Sequence, residues 1–203
     1  ILDSALAGFV FGFLIVFVRI SSAVMLLPGF SEASVPPMVR IGLSLALTCI
    51  VAPLVGTDLP PMPTEPAYVI LLILEQIVIG LTIGWLTTTI LTTLPMAGQA
   101  ISYQIGLSSV LLPSTELGSN STLVSSVFNL MVPVLFFSSA LIIFPILALV
   151  NSFHQIPVNI TSQFSNTSDL GLIIKVIIKA VSFEFLISTQ IAAPFLVIGL
   201  IWQ

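Results

Sequence analysis

Apolar residues in this chain come in long, nearly continuous runs separated by polar stretches rich in proline. The first run, from about Ala5 to Leu27, is long enough for a helix to cross a hydrocarbon layer about 30 Å thick. It ends in LPGFSEASVPPMVR, which holds three prolines and one glycine. A shorter run, about Ile41 to Val55, is followed by GTDLPPMPTEP. The third starts near Ala67 and stays apolar to about Leu94, where Pro95 is expected to interrupt it. The fourth covers about Leu123 to Val150 and contains Pro133 and Pro145. After the polar loop NSFHQIPVNITSQFSNTSD, a last run extends from about Leu170 to the end, with Pro194 inside it. Such runs lack the short alternation of barrel strands and read as helices. Proline removes a backbone donor and kinks a helix, and the freed carbonyl survives at membrane depth only where protein or water covers it. The pattern predicts an all-α, integral membrane-type protein of about five or six segments, built from bent helical hairpins in one domain over residues 1–203.

One stretch breaks the pattern. MAGQAISYQIGLSSVLLPSTELGSNS, residues 96–121, places glutamines, glycines, a tyrosine and serines in the middle of an otherwise apolar chain.

Composition sharpens the membrane reading. Of 203 residues, 57% are hydrophobic and 6% charged, against roughly 25% charged in a soluble domain. Lipid or protein must therefore cover most of the surface. The net charge of -4 and the lack of any basic run give nucleic acid no footing. A single cysteine, Cys49, and a single histidine, His154, exclude an intrachain disulfide and leave no set for a Cys/His metal centre or nucleophilic catalysis. No enzyme, metal or cofactor is expected. His154 reads as a surface or capping residue, and the Asn-x-Ser/Thr triplets at Asn120, Asn159 and Asn166 as chance in a chain rich in these residues. The chain begins at Ile1 and stops at Gln203 inside an apolar run, so it is expected to lack both ends of a longer protein. Its first run has no basic leader or small-residue cleavage pattern and does not read as a signal peptide.

Several charges lie inside apolar runs. A lone charge at the centre of a span costs about 2.5–3.5 kcal/mol on insertion scales, so partners are the expected resolution. Arg19 could snorkel toward the end of its segment, and Glu75 could reach an interface. Lys175 and Lys179, four apart, share a helix face, whereas Glu184 points elsewhere and cannot be neutralised within its own helix. Two readings fit: a proton or substrate path, or ion pairs to another helix or subunit that fix assembly. Gly80 and Gly84 have the four-residue spacing that lets helices approach closely. The positive-inside rule puts Arg40 in the cytoplasm, but a five-span count then puts Lys175 on the other side.

Five stretches in order, VFVRISSAVMLLPGF, VPPMVRIGLSLALT, EQIVIGLTIGW, AGQAISYQIGLSS and NSFHQIPV, have the spacing of the FliR family of flagellar biosynthesis proteins, which this chain resembles over nearly its whole length. Related subunits serve virulence type III secretion, and AGQAISYQIGLSS looks closer to the flagellar members. The resemblance implies a subunit of the type III export gate in the bacterial inner membrane, at the flagellar basal body. In that family one such chain joins several copies of FliP and FliQ in a closed, hetero-oligomeric helical assembly and contacts FlhB. Unfolded flagellar proteins pass through the middle, driven chiefly by proton-motive force. Much of the assembly is raised out of the bilayer plane, which would account for the topology conflict.

The resemblance also gives the polar stretch a role, as a loop that projects into the pore and helps plug it. Here the loop would run from about Gly106 to Asn120, with Gly106, Leu107, Ser108, Ser109, Val110, Leu111, Leu112 and Pro113 as the plug. Glycine and serine bend readily, and Val110, Leu111 and Leu112 supply an apolar tip able to exclude water. Gln99 and Gln104, five apart, are expected on different faces, bonding to neighbouring backbones at a crowded interface. Arg19, Arg40, Glu75, Lys175, Lys179 and Glu184 are expected in assembly contacts or as buried polar groups.

The chain departs from the family in two places. Many relatives carry aromatic residues and Asp-Pro where this loop reads SSVLLPSTELG, so aromatic plugging does not carry over. A motif containing Asn-Gly-His reads SSAL here, Ser138 to Leu141, and receives no role. The alternatives are an injectisome gate subunit or a stand-alone small-solute transporter. The latter would need matching halves with charges converging on one site, and no halves match.

Overall fold

The computed structural model describes residues 2–31, 35–55, 65–106, 111–113, 120–156, 158 and 167–202. They form helices α1 (Leu2–Leu26), α2 (Pro37–Val55), α3 (Pro66–Ile105), α4 (Leu123–Ser138), α5 (Ile143–Gln155) and α6 (Thr167–Trp202). Between α3 and α4 lie two short strands, β1 (Leu111–Pro113) and β2 (Asn120–Thr122). They pair antiparallel, with Leu111 opposite Thr122 and Pro113 opposite Asn120. Apart from this small ladder the described residues are all-α. Among the described residues, four helices are long and apolar enough to cross a membrane, at Leu6–Leu26, Pro37–Val55, Pro66–Ile105 and Ile174–Ile201, and the α4–α5 pair would make a broken fifth span.

Prolines shape these helices differently from the sequence expectation. Pro37 and Pro66 are the first residues of α2 and α3, where the missing N–H is not needed and the fixed φ already suits a helix. Pro95 does not interrupt α3, which continues to Ile105. Pro133 likewise lies within α4, and Pro194 within α6. Pro145 falls in the first turn of α5, where no intrahelical donor is lost. The real break, at residues 139–142, contains no proline. Ala140 there takes a left-handed φ of 55°, and both the amide and the hydroxyl of Ser139 donate to the Leu135 carbonyl, closing α4. Residues 151–155, expected in a loop, form the last turn of α5.

Hydroxyls inside the apolar helices turn back on their own backbone. Ser44 donates to the Arg40 carbonyl at 2.7 Å, Thr48 to Ser44 at 2.7 Å, Thr82 to Val78 at 2.7 Å and Ser102 to Gly98 at 2.9 Å. These hydroxyls thus enter a membrane helix without leaving their own donor unmet.

The chain packs as two compact units, residues 1–85 with 142–173, and residues 86–141 with 174–203. In the first, α1 and α2 pack together as a helical hairpin. Buried there are Ile15, Val16, Ile20 and Val24 of α1, Val51 and Val55 of α2, Leu72 of α3, and Leu149 and Phe153 of α5. Gly80 and Gly84 bring α3 against α1: a methyl on Gly80 would overlap the Arg19 carbonyl and the Ser22 hydroxyl, and one on Gly84 would lie 2.6 Å from the Ala23 carbonyl oxygen. In the second unit, Ala97, Ile101, Val132, Phe136 and Ala192 are buried. There Gly98 of α3 lies so close to α4 that a methyl would come within 3.0 Å of Ser125 Cα. Half of the α1 span is buried but only 11% of the α6 span, leaving broad apolar faces for lipid or another chain.

Candidate functional site

Two polar features stand out from the apolar framework. The first, in the unit of α1, α2 and α5, is Arg19. It does not reach the end of its helix, as snorkelling would require; it is fully buried and turned inward. Its Nε donates to Gln76 Oε1 at 2.7 Å, and one terminal nitrogen to the Ser152 hydroxyl at 3.1 Å. The other donates to the Ile156 carbonyl at 3.4 Å, and the guanidinium carbon lies 4.1 Å from the Phe153 ring centroid. Glu75, also buried, attracts Arg19 electrostatically. Bonds from a charged donor are worth about 1.5–3 kcal/mol each, and a desolvated cation–π contact about 2 kcal/mol. Together they offset a desolvation that a bare guanidinium could not meet. Arg19 thereby ties α1 to α3, to α5 and to the chain leaving α5. Arg40, half-buried in the first turn of α2, contributes its carbonyl to Ser44.

The second feature begins on the C-terminal half of α3. Gln99 is exposed, whereas Gln104 is half-buried against Gly199 of α6, where a methyl would collide with its side chain. The two glutamines do face different ways. The helix ends at Gly106, exposed and left-handed with φ 78°, a conformation glycine adopts without a steric penalty. Of the expected plug, Leu107, Ser108, Ser109 and Val110 lie outside the described residues, while the backbone of Leu111, Leu112 and Pro113 forms β1. Glu184, half-buried in α6, accepts a hydrogen bond from the Thr92 hydroxyl at 2.9 Å. Its partner in the chain is thus a neutral hydroxyl of another helix. Lys175 and Lys179 are exposed on α6.

Sequence reasoning singled out Arg19 and Glu75 but missed Gln76, Ser152 and Phe153. Gln76 was legible in principle as a second polar residue beside Glu75 in an apolar run. Ser152 and Phe153 were masked by the reading of their segment as a loop. Among the described residues, no group of three His, Cys, Asp or Glu side chains could hold a metal ion.

A membrane-embedded helical protein with buried polar pins, whose longest helix ends in a left-handed glycine, is what these features define. Residues 10–203 match the family of bacterial export proteins, family 1, and the chain belongs to that family. It is similar to the flagellar biosynthetic protein FliR of Caulobacter vibrioides, 27% identical over 189 residues, which cover 93% of this chain and 73% of that protein. It is 29% identical to FliR of Pectobacterium carotovorum over 146 residues, 70% of this chain and 54% of the relative. With FliR of Escherichia coli it shares 26% over 176 residues, 87% and 64% respectively. The chain thus spans less than two thirds of the length of the latter two relatives. The resemblance carried by the five sequence stretches is confirmed.

Proposed function

We propose that this chain is a subunit of the flagellar type III export gate in the bacterial inner membrane, joining FliP and FliQ and contacting FlhB. Its role there is structural: it completes the wall of a channel for unfolded flagellar proteins. The loop after α3, from Gly106 to Asn120, helps close that channel. The observation that carries this reading is the family match along residues 10–203. Two structural facts support it. Most of the α6 span is uncovered within the chain, as expected of a helix that other subunits pack against. The 40-residue α3 ends in a left-handed glycine, Gly106, and Leu111–Pro113 pair with Asn120–Thr122 just before α4.

Native mass spectrometry of the full-length chain, co-expressed with its neighbouring export genes, tests the reading. One copy held with several copies of two other small membrane proteins is the expected result. A folded monomer or homo-oligomer would overturn it and favour a self-sufficient transporter.

A further inference from the structure

The Arg19 cluster holds more hydrogen-bonding capacity than its bonds consume. A guanidinium carries five N–H donors, and Arg19 directs three of them to Gln76 Oε1, the Ser152 hydroxyl and the Ile156 carbonyl. All three acceptors are neutral. The carboxylate of Glu75 attracts Arg19 across the cluster but accepts none of these bonds.

Two buried atoms of consecutive α3 residues are left over, one of each polarity. Gln76 gives its oxygen to Arg19, and the reverse amide orientation would set donor against donor. Its Nε2 is therefore fixed as a donor, and it has no partner. Glu75 Oε1 is an acceptor and has none either. Gln76 is fully buried and Glu75 is 8% exposed. Buried polar atoms in native proteins almost always bond to protein or to ordered water, because an unmet one forfeits its hydration for nothing.

The surroundings narrow what can meet both. Nearby hydroxyl protons are already committed: Ser22 donates to the Arg19 carbonyl and Ser152 to the Leu149 carbonyl. Burial of both atoms keeps out a side chain of another subunit. A cation is opposed by the Arg19 charge. An anion is opposed by Glu75 and has no proton to give Oε1. The group required is small and neutral, and donates and accepts at once; water has these properties and bonds in this way in protein interiors.

We propose that a water molecule is bound inside the α1, α3 and α5 cluster, accepting a hydrogen bond from Gln76 Nε2 and donating one to Glu75 Oε1. A spare N–H of Arg19 completes its shell, so that Arg19 and Glu75 form a water-separated pair. The site belongs to the interior of the chain and holds whatever the assembly transports.

The test uses the full-length protein, solubilised with the partners that co-purify with it, and brief X-ray irradiation in isotope-labelled water. Radicals formed from a bound water oxidise the side chains beside it. Phe153, which packs on the Arg19 guanidinium, and Phe136, in the other unit, are equally buried at 1% exposed. Mass spectrometry should find Phe153 oxidised roughly tenfold faster than Phe136, as a wet against a dry interior requires. E75L, which removes the acceptor, should bring Phe153 down toward Phe136. A cryo-electron microscopy map of the same assembly should show a density peak within hydrogen-bonding distance of Glu75 Oε1 and Gln76 Nε2. Phe153 oxidised no faster than Phe136 would overturn the proposal, as would a map in which Arg19 bonds Glu75 directly. Unchanged Phe153 oxidation in a folded E75L would also overturn it, because Glu75 would not be holding the water. If E75L fails to fold, the two phenylalanines of the unmutated protein and the map still decide.

Discussion

A guanidinium in the middle of an apolar helix persists only where its donors are met, and Arg19 meets its needs through residues far away in sequence. Gln76 lies 57 positions on, and Ser152 lies 133 positions on. Gln76→Leu keeps the side chain's bulk but removes the acceptor for Arg19 Nε. It is expected to cost about 1.5–3 kcal/mol, the worth of a hydrogen bond to a charged group, read as a lower melting temperature of the detergent-solubilised, partner-bound protein. Leu74→Ala, at an exposed position on the same helix, should cost much less. Equal melting of Gln76→Leu and the unmutated protein would mean that Gln76 does not hold Arg19. The charge itself was legible in the sequence, but its direction was not. A long basic side chain can turn outward to an interface or inward to acceptors, and here the deciding acceptors came from α3, α5 and the Ile156 carbonyl.

The existence of the helices was legible from the apolar runs, but their breaks and C-terminal ends were not. Proline was the natural candidate for a break, yet Pro95, Pro133 and Pro194 sit within helices, and Pro145 sits in a first turn where it costs nothing. The chain breaks at Ala140, a residue with no helix-breaking signature of its own. The four-residue glycine spacing, by contrast, was read correctly as a helix contact. Gly80→Ala places a methyl against the Arg19 carbonyl and the Ser22 hydroxyl. A backbone carbonyl cannot move aside cheaply, so the substitution is expected to destabilise by about 1–3 kcal/mol. Gly42→Ala meets nothing within 4 Å and should instead gain up to about 1 kcal/mol of helix propensity. Thermal unfolding of the two variants side by side checks the pair; equal stability would show that α1 and α3 do not pack through Gly80.

The molecule as a whole combines interiors pinned by polar contacts with helix faces that little among the described residues covers. If assembly is driven by the uncovered faces, the loop should be dispensable for assembly and needed only for closure. Shortening the segment from Ser108 to Ser119 removes β1 and the tip while sparing α3 and α4. The variant is expected to co-purify with its partners in unchanged proportion, because the exposed faces of α2, α3 and α6 remain. Without substrate in the channel it should leak ions, read as a collapse of membrane potential in cells that make the assembled apparatus. The leak should vanish when a stalled substrate fills the channel, since a polypeptide would then occupy the gap left by the loop. Intact assembly with no leak would remove the plug role and leave the loop a connector. Failed assembly would show that the β1–β2 base, not the helices alone, holds the subunit in place.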